Sequence, residues 1–182
     1  MHTKAVFRTA QALNAVGIHA LRFNFRGVGA STGSYDEGVG ERDDAHAALD
    51  WLADRFPDLP LVMGGFSFGS RVGLSVGVEN PRVDALIGLG VAVDLYDFSF
   101  LGDTEKPLLV VQGEDDEFGP GARVRETLEA MGDHITVEVV PGADHYFHDR
   151  FDELRAAVRS YFGEGPGARA LGRATRAGYG AA

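Results

Sequence analysis

Apolar positions along this chain follow two alternating rhythms. Short continuous or every-second-residue runs suit strands, and they alternate with segments whose apolar residues recur every three or four positions, which suit helices. Helical spacing covers residues 3–16, with Val6, Ala10 and Leu13 on one face. It recurs over 41–56, where Ala45, Ala48, Leu49, Leu52 and Phe56 share a face and Trp51 stands at its edge. Strands are predicted over 19–25, 59–65, 83–89, 107–112 and 135–140. Helices are predicted over 68–79, 120–132 and 148–162, the last lined by Phe151, Leu154, Val158 and Phe162. Residues 27–40 read as a glycine-rich loop and 91–106 as an irregular connection. Alternation of this kind predicts an α/β fold, a mainly parallel sheet with helices on both faces. Gly163 to Ala182 has few large apolar residues, so the domain is expected to span 1–162 and residues 163–182 to form a flexible Gly/Ala/Arg tail.

The most informative stretch is Gly65-Phe66-Ser67-Phe68-Gly69, between an apolar run and a helical segment. Strand, G-x-S-x-G, helix is the context in which the motif makes a nucleophile elbow. The turn is tight enough that Gly65 and Gly69 are both expected to need the absence of a side chain. Ser67 would then stand beside the positive end of a helix, with the Phe68 N–H as an oxyanion donor. A serine hydroxyl needs a base, and the base an orienting acid. Both follow in hydrolase order. Pro107-Leu-Leu-Val-Val-Gln112 runs into Gly113-Glu-Asp-Asp-Glu117, where Asp116, three residues past Gly113, is the first choice of acid and Asp115 the second. Ile135 to Val140 runs into Pro141-Gly-Ala-Asp-His145, which supplies the histidine.

Other features carry less. Gly27-Val-Gly29-Ala-Ser-Thr32-Gly33 resembles a dinucleotide loop only until Thr32, which replaces its third glycine, and a structural turn is the better reading. His145 and His148 with Asp144 and Asp149 make poor metal spacing without a third partner, and His148 reads as a cap or rim residue. Asp43 and Asp44 read as favourable charges in a first helical turn. The aromatics Tyr96, Phe98 and Phe100 wall a shallow pocket or pack as core.

These residues together resemble the α/β-hydrolase superfamily, and within it the small lidless bacterial hydrolases of the dienelactone-hydrolase-like kind. The likeness runs over roughly residues 1–162. It includes Leu21-Arg-Phe-Asn-Phe-Arg-Gly-Val-Gly-Ala-Ser31, which looks like the family's strand and Arg-Gly-x-Gly-x-Ser loop. The resemblance implies Ser67 as nucleophile, Asp116 as acid and His145 as base, acting on an ester without cofactor or metal. It also implies a strand and an oxyanion loop ahead of the first helix. Met1 to Val6 shows neither. In the family that strand lies between the 21–25 and 59–64 strands, so a slot is expected in the sheet, with costly unpaired backbone.

The 182 residues suffice for one sizeable core. A net charge of −10 argues against nucleic acid or an anionic membrane as partner. There is no cysteine, hence no thiolate nucleophile or thiolate metal site. No apolar run approaches a membrane span and Met1 to Gly17 lacks a signal-like centre, so the chain is read as cytoplasmic. The expected function is a serine hydrolase cleaving a carboxylic ester through an acyl-enzyme. The alternative is a truncated, non-catalytic or weakly active relative, for which a homodimer covering the exposed sheet edge is the expected stable form.

Overall fold

The structure, a computed structural model, describes residues 3–172. Four strands, β1 (Leu61–Phe66), β2 (Val83–Leu89), β3 (Leu108–Gly113) and β4 (Ile135–Val140), pair in parallel in the order β1-β2-β3-β4. The pairing aligns Phe66 with Leu89, Leu89 with Val111, and Gly113 with Val140. The C-terminal ends of all four strands therefore meet at one edge. Leu108 to Val111 are 0% exposed, as a strand covered on both faces requires. Helices α1 (Lys4–Ala15) and α5 (Phe151–Gly163) pack on one face around Leu13, Leu109, Val111 and Phe162. Helices α2 (Val39–Arg55), α3 (Phe68–Glu79) and α4 (Gly121–Glu129) cover the other, around Leu49, Met63, Leu74, Val110 and Leu128. The 91–106 connection holds one short 3-10 turn, Ser99–Asp103, that buries Phe98 and Leu101. No helix among the described residues is long and apolar enough to cross a membrane.

Two expectations are corrected. Residues 19–25 form no strand, and Leu21 is 42% exposed. The apolar pattern is there, but a strand needs a neighbouring strand to ladder with, and among the described residues the sheet holds only β1 to β4. Between it and β1 lies an apolar slot of about 550 Å³. Its walls include Leu13 from α1, Ile18 and Leu21, Phe56 beyond α2, and Val62 of β1. Thr9 also lines the slot, and its buried hydroxyl has no hydrogen-bond partner. The second correction is the domain boundary at residue 162. The chain continues into a short helix, α6 (Pro166–Ala170), with Gly167, Ala168 and Leu171 buried. Gly167 allows this, because a Cβ there would stand 2.8 Å from the Tyr161 ring. The rest of the expected tail, 173–182, lies outside the described residues.

The glycine-rich loop is tied down by two acids. Asp44 accepts the backbone N–H of Arg26 at 2.8 Å and its guanidinium at 2.9 Å. Asp44 is therefore an anchor rather than the simple helix-start charge read from the sequence. Glu41, 1% exposed, accepts the N–H groups of Asp36 and Gly38 at 2.9 and 2.8 Å. The hydrogen bond from Arg26 holds the Asp44 carboxyl below its ordinary 3.8. Burial pushes the Glu41 carboxyl up, but the backbone N–H groups of Asp36, Glu41 itself and Gly38, with the nearby Arg26 charge, outweigh it and hold it below 4.5.

Helix α3 approaches β1 closely. A Cβ on Gly73 would meet the Gly64 carbonyl at 2.8 Å, and one on Gly65 would meet the Gly69 carbonyl at 2.0 Å. At Gly69, by contrast, a Cβ would find only the Phe25 ring at 3.7 Å, an ordinary contact. The elbow thus requires glycine on its strand side and not on its helix side.

Two outcomes follow for measured stability. Gly65→Ala should cost roughly 3 kcal/mol or prevent folding, since backbone rather than a pliable side chain blocks the methyl group. Gly69→Ala should stay within about 1 kcal/mol of the parent, helix propensity favouring alanine. Equal losses in chemical denaturation would refute the asymmetry. In acid, both depressed carboxyls work in the same direction. Their stabilisation is complete above the unfolded values and is lost as pH falls through the lower folded ones. Unfolding free energy should therefore drop below about pH 4, and Asp44→Asn should flatten part of that drop.

Candidate active site

Ser67 sits between β1 and α3 at φ 55 and ψ −123, a left-handed conformation costly for a residue with a Cβ. It is held from both sides. Its N–H donates to the Leu89 carbonyl at 2.9 Å. Its own carbonyl accepts the Ser70 N–H at 2.8 Å and the Ser70 hydroxyl at 2.6 Å. Phe68 is the first residue of α3, so its N–H has no acceptor within the helix. Around it, the Phe68 ring packs against Phe25 at 6.0 Å, Tyr35 at 5.5 Å and Tyr96 at 6.1 Å. The glycine-rich loop therefore lies directly beside the elbow.

Asp116 follows β3 and is 0% exposed, whereas Asp115 is exposed and contributes its backbone N–H to the Ala143 carbonyl. Asp116 Oδ2 accepts from His145 Nδ1 at 2.8 Å. Its Oδ1 accepts the Phe118 N–H at 2.9 Å. His145 follows β4, is 1% exposed, and is boxed by aromatic rings. Phe66 lies 4.8 Å away, Phe118 meets it edge-on at 4.8 Å, and Tyr146 edge-on at 5.1 Å. Gly90, φ 53, makes room for the ring, since a Cβ there would be 3.1 Å from His145 Cε1. Gly90 follows Leu89, whose carbonyl holds Ser67, so serine and histidine converge on one strand end. No hydrogen bond joins the Ser67 hydroxyl to His145 among the described residues. Slack of this kind is common in unliganded hydrolases.

Two features escaped the sequence reading. Gln112, taken as the last residue of an apolar strand, is 0% exposed and donates to Asp116 Oδ2 at 2.8 Å. A lone amide ending an apolar run was its only signal. Asp144 accepts the N–H groups of Tyr146 and His148, both at 3.0 Å, and bonds the His148 ring at 2.6 Å. That pair stays on the exposed rim and shapes the histidine loop. Among the described residues no three metal-ligating side chains gather.

Residues 1–157 match the family model of the alpha/beta hydrolase domain. An uncharacterized protein of Rickettsia prowazekii is 34% identical over 171 residues, covering 88% of this chain and 71% of the relative. An uncharacterized protein of Mycobacterium tuberculosis is 26% identical, and the chain spans 56% of its length. Among solved structures, a Xanthomonas campestris α/β serine hydrolase without a lid aligns with TM-score 0.81 and 36% identity, over 89% of this chain and 73% of that one. An α/β serine hydrolase homologue from Coxiella burnetii aligns with TM-score 0.79 and 36% identity, over 87% and 76%. The narrower dienelactone-hydrolase likeness is not reached by these matches. A parallel sheet with its strand ends converging on a strained serine, and matches of this breadth, lead to one assignment: the chain belongs to the alpha/beta hydrolase family.

Proposed function

We propose that the protein is a serine hydrolase that cleaves a carboxylic ester by a Ser67–His145–Asp116 triad. The buried 2.8 Å bond between His145 Nδ1 and Asp116 carries the reading. That bond spends one ring nitrogen on the acid and leaves Nε2 to serve as base. In the first half-reaction Ser67 Oγ bonds to the ester carbonyl carbon and its proton passes to His145 Nε2. The Phe68 N–H supports the charge on the carbonyl oxygen. The carbon–oxygen bond to the alcohol then breaks, and the alcohol leaves with the proton from His145. In the second half, water adds to the acyl carbon as His145 takes its proton. The acid departs and Ser67 recovers its hydrogen. Neither cofactor nor metal enters these steps, and a small neutral or apolar ester fits the aromatic surroundings of Phe68. A cytoplasmic setting agrees with the sequence reading.

A second reading, a weakly active relative, is favoured by the slot beside β1. The Phe68 N–H is the one oxyanion donor the elbow itself supplies, and losing a donor costs about a hundred- to a thousandfold in turnover. A homodimer covering the open flank of β1 belongs to this reading, and sedimentation would reveal it.

A fluorophosphonate probe should label Ser67, and Ser67→Ala should abolish labelling. Asp116→Asn should lower turnover of p-nitrophenyl acetate by about four orders of magnitude, while Asp115→Asn should leave it nearly unchanged. The reverse pattern, or labelling elsewhere, would defeat the triad assignment. Slow turnover with clean Ser67 labelling would mark the weak enzyme. Vigorous turnover would mean a second donor exists, and the Gly27–Gly33 loop beside Phe68 is the first place to seek it.

A further inference from the structure

Gln112 stands at the end of β3 with every hydrogen-bonding atom of its amide in use. Nε2 donates to Asp116 Oδ2 at 2.8 Å and to the Gly119 carbonyl at 2.8 Å. Oε1 accepts the Val91 N–H at 2.7 Å. Two acceptors on one side and a backbone donor on the other fix which end is oxygen, so the amide cannot be turned over without breaking all three bonds. The side chain is 0% exposed, so no water can substitute for a lost bond from bulk solvent.

The position is as specific as the bonding. Asp116 Oδ2 takes two donors at once, His145 Nδ1 and Gln112 Nε2, both at 2.8 Å. The Phe118 N–H holds the other oxygen. With Gln112 in place the carboxylate plane has one orientation, and Oδ2 must face the histidine. Gln112 also links the chain leaving β2, through Val91, to the acid loop, through Gly119. The strand end that bonds Ser67 through Leu89 is thereby joined to the loop that carries the acid.

We infer that Gln112 is the positioning residue of the triad: it acts through Asp116, orienting the carboxylate that orients His145, and touches no substrate. The inference rests on the serine-hydrolase reading above. Glu in place of Gln makes the sharpest test, being nearly the same shape and able to keep the Val91 bond. As a carboxylate it cannot donate to Asp116 and repels it. With a proton shared between the two acids its single O–H can restore the bond to Asp116 Oδ2, though not the one to the Gly119 carbonyl.

The rate of Ser67 labelling by a fluorophosphonate should be measured against pH for wild type, Gln112→Glu and Gln112→Leu, with thermal unfolding of each. Folded Gln112→Leu should label roughly ten- to a hundredfold more slowly than wild type at every pH. Gln112→Glu should be as slow at about pH 9, and its rate relative to wild type should climb toward unity as pH falls to about 6. A merely structural glutamine would give a ratio that does not change with pH, and that result overturns the inference. Wild-type rates in folded Gln112→Leu at any pH, or in folded Gln112→Glu at about pH 9, overturn it too, as does failure of both variants to fold at any pH, which would assign Gln112 to folding. If wild type itself does not label at Ser67, it is the hydrolase reading that fails. A labelled wild type with a flat ratio fails Gln112 alone.

Discussion

The strained backbone of Ser67 is the constraint on which the candidate site turns. A side chain at φ 55 is held there only because the structure on either side leaves no relaxed alternative. On the strand side, the ladder to β2 ends in the bond from Ser67 to Leu89. On the helix side, the first turn of α3 closes on the Ser67 carbonyl. The two can meet because α3 comes back over β1 at backbone contact, with glycine at 64, 65 and 73. The hydroxyl is thus presented at a strand tip by packing on the far side of the sheet. The same geometry leaves the Phe68 N–H unused within the helix and next to the serine.

Strain fixes the serine, while convergence of hydrogen bonds fixes its partners. The acid loop and the histidine loop are stitched together by backbone: Glu114 N–H donates to the Val140 carbonyl at 3.0 Å and Asp115 N–H to the Ala143 carbonyl at 2.9 Å. Asp115 thus serves the site through its main chain while its neighbour serves through its side chain. In the turns that follow β3 the two neighbours point different ways, and only Asp116 reaches the interior. Aromatic rings around His145 exclude water from the ring and from its bond to Asp116, while Ser67 is half-buried.

Most of the scaffold was legible because its signals are local. Residues 83–89 and 135–140 form strands as read, and Asp116 could be preferred to Asp115 from its distance past Gly113. What was not legible depends on partners distant in sequence. Residues 19–25 have strand chemistry, but strand formation is decided by a neighbour. Gly69 belongs to a glycine motif, yet only the position of Phe25 reveals that it has room for a methyl group. Asp44 looked like any acid in a first turn until Arg26 was placed against it. Leu171 lies in the segment read as a tail, and only the fold shows it packed into the body beside α6. Gln112 is the clearest case: an amide at the end of an apolar strand has no pattern of its own, and its role exists only where Val91, Gly119 and Asp116 surround it.

The slot and the elbow are joined through β1. Among the described residues that strand is laddered on its β2 flank and open on the other, so the serine is braced from one side of the sheet. A strained turn stays strained only while its supports hold, and a strand with one bonded flank frays more readily than one with two. The apolar walls of the slot and the unpartnered Thr9 hydroxyl add to the cost of leaving that flank uncovered. Whatever covers the open flank of β1 would therefore stiffen the strand that carries Ser67, and with it the strained turn.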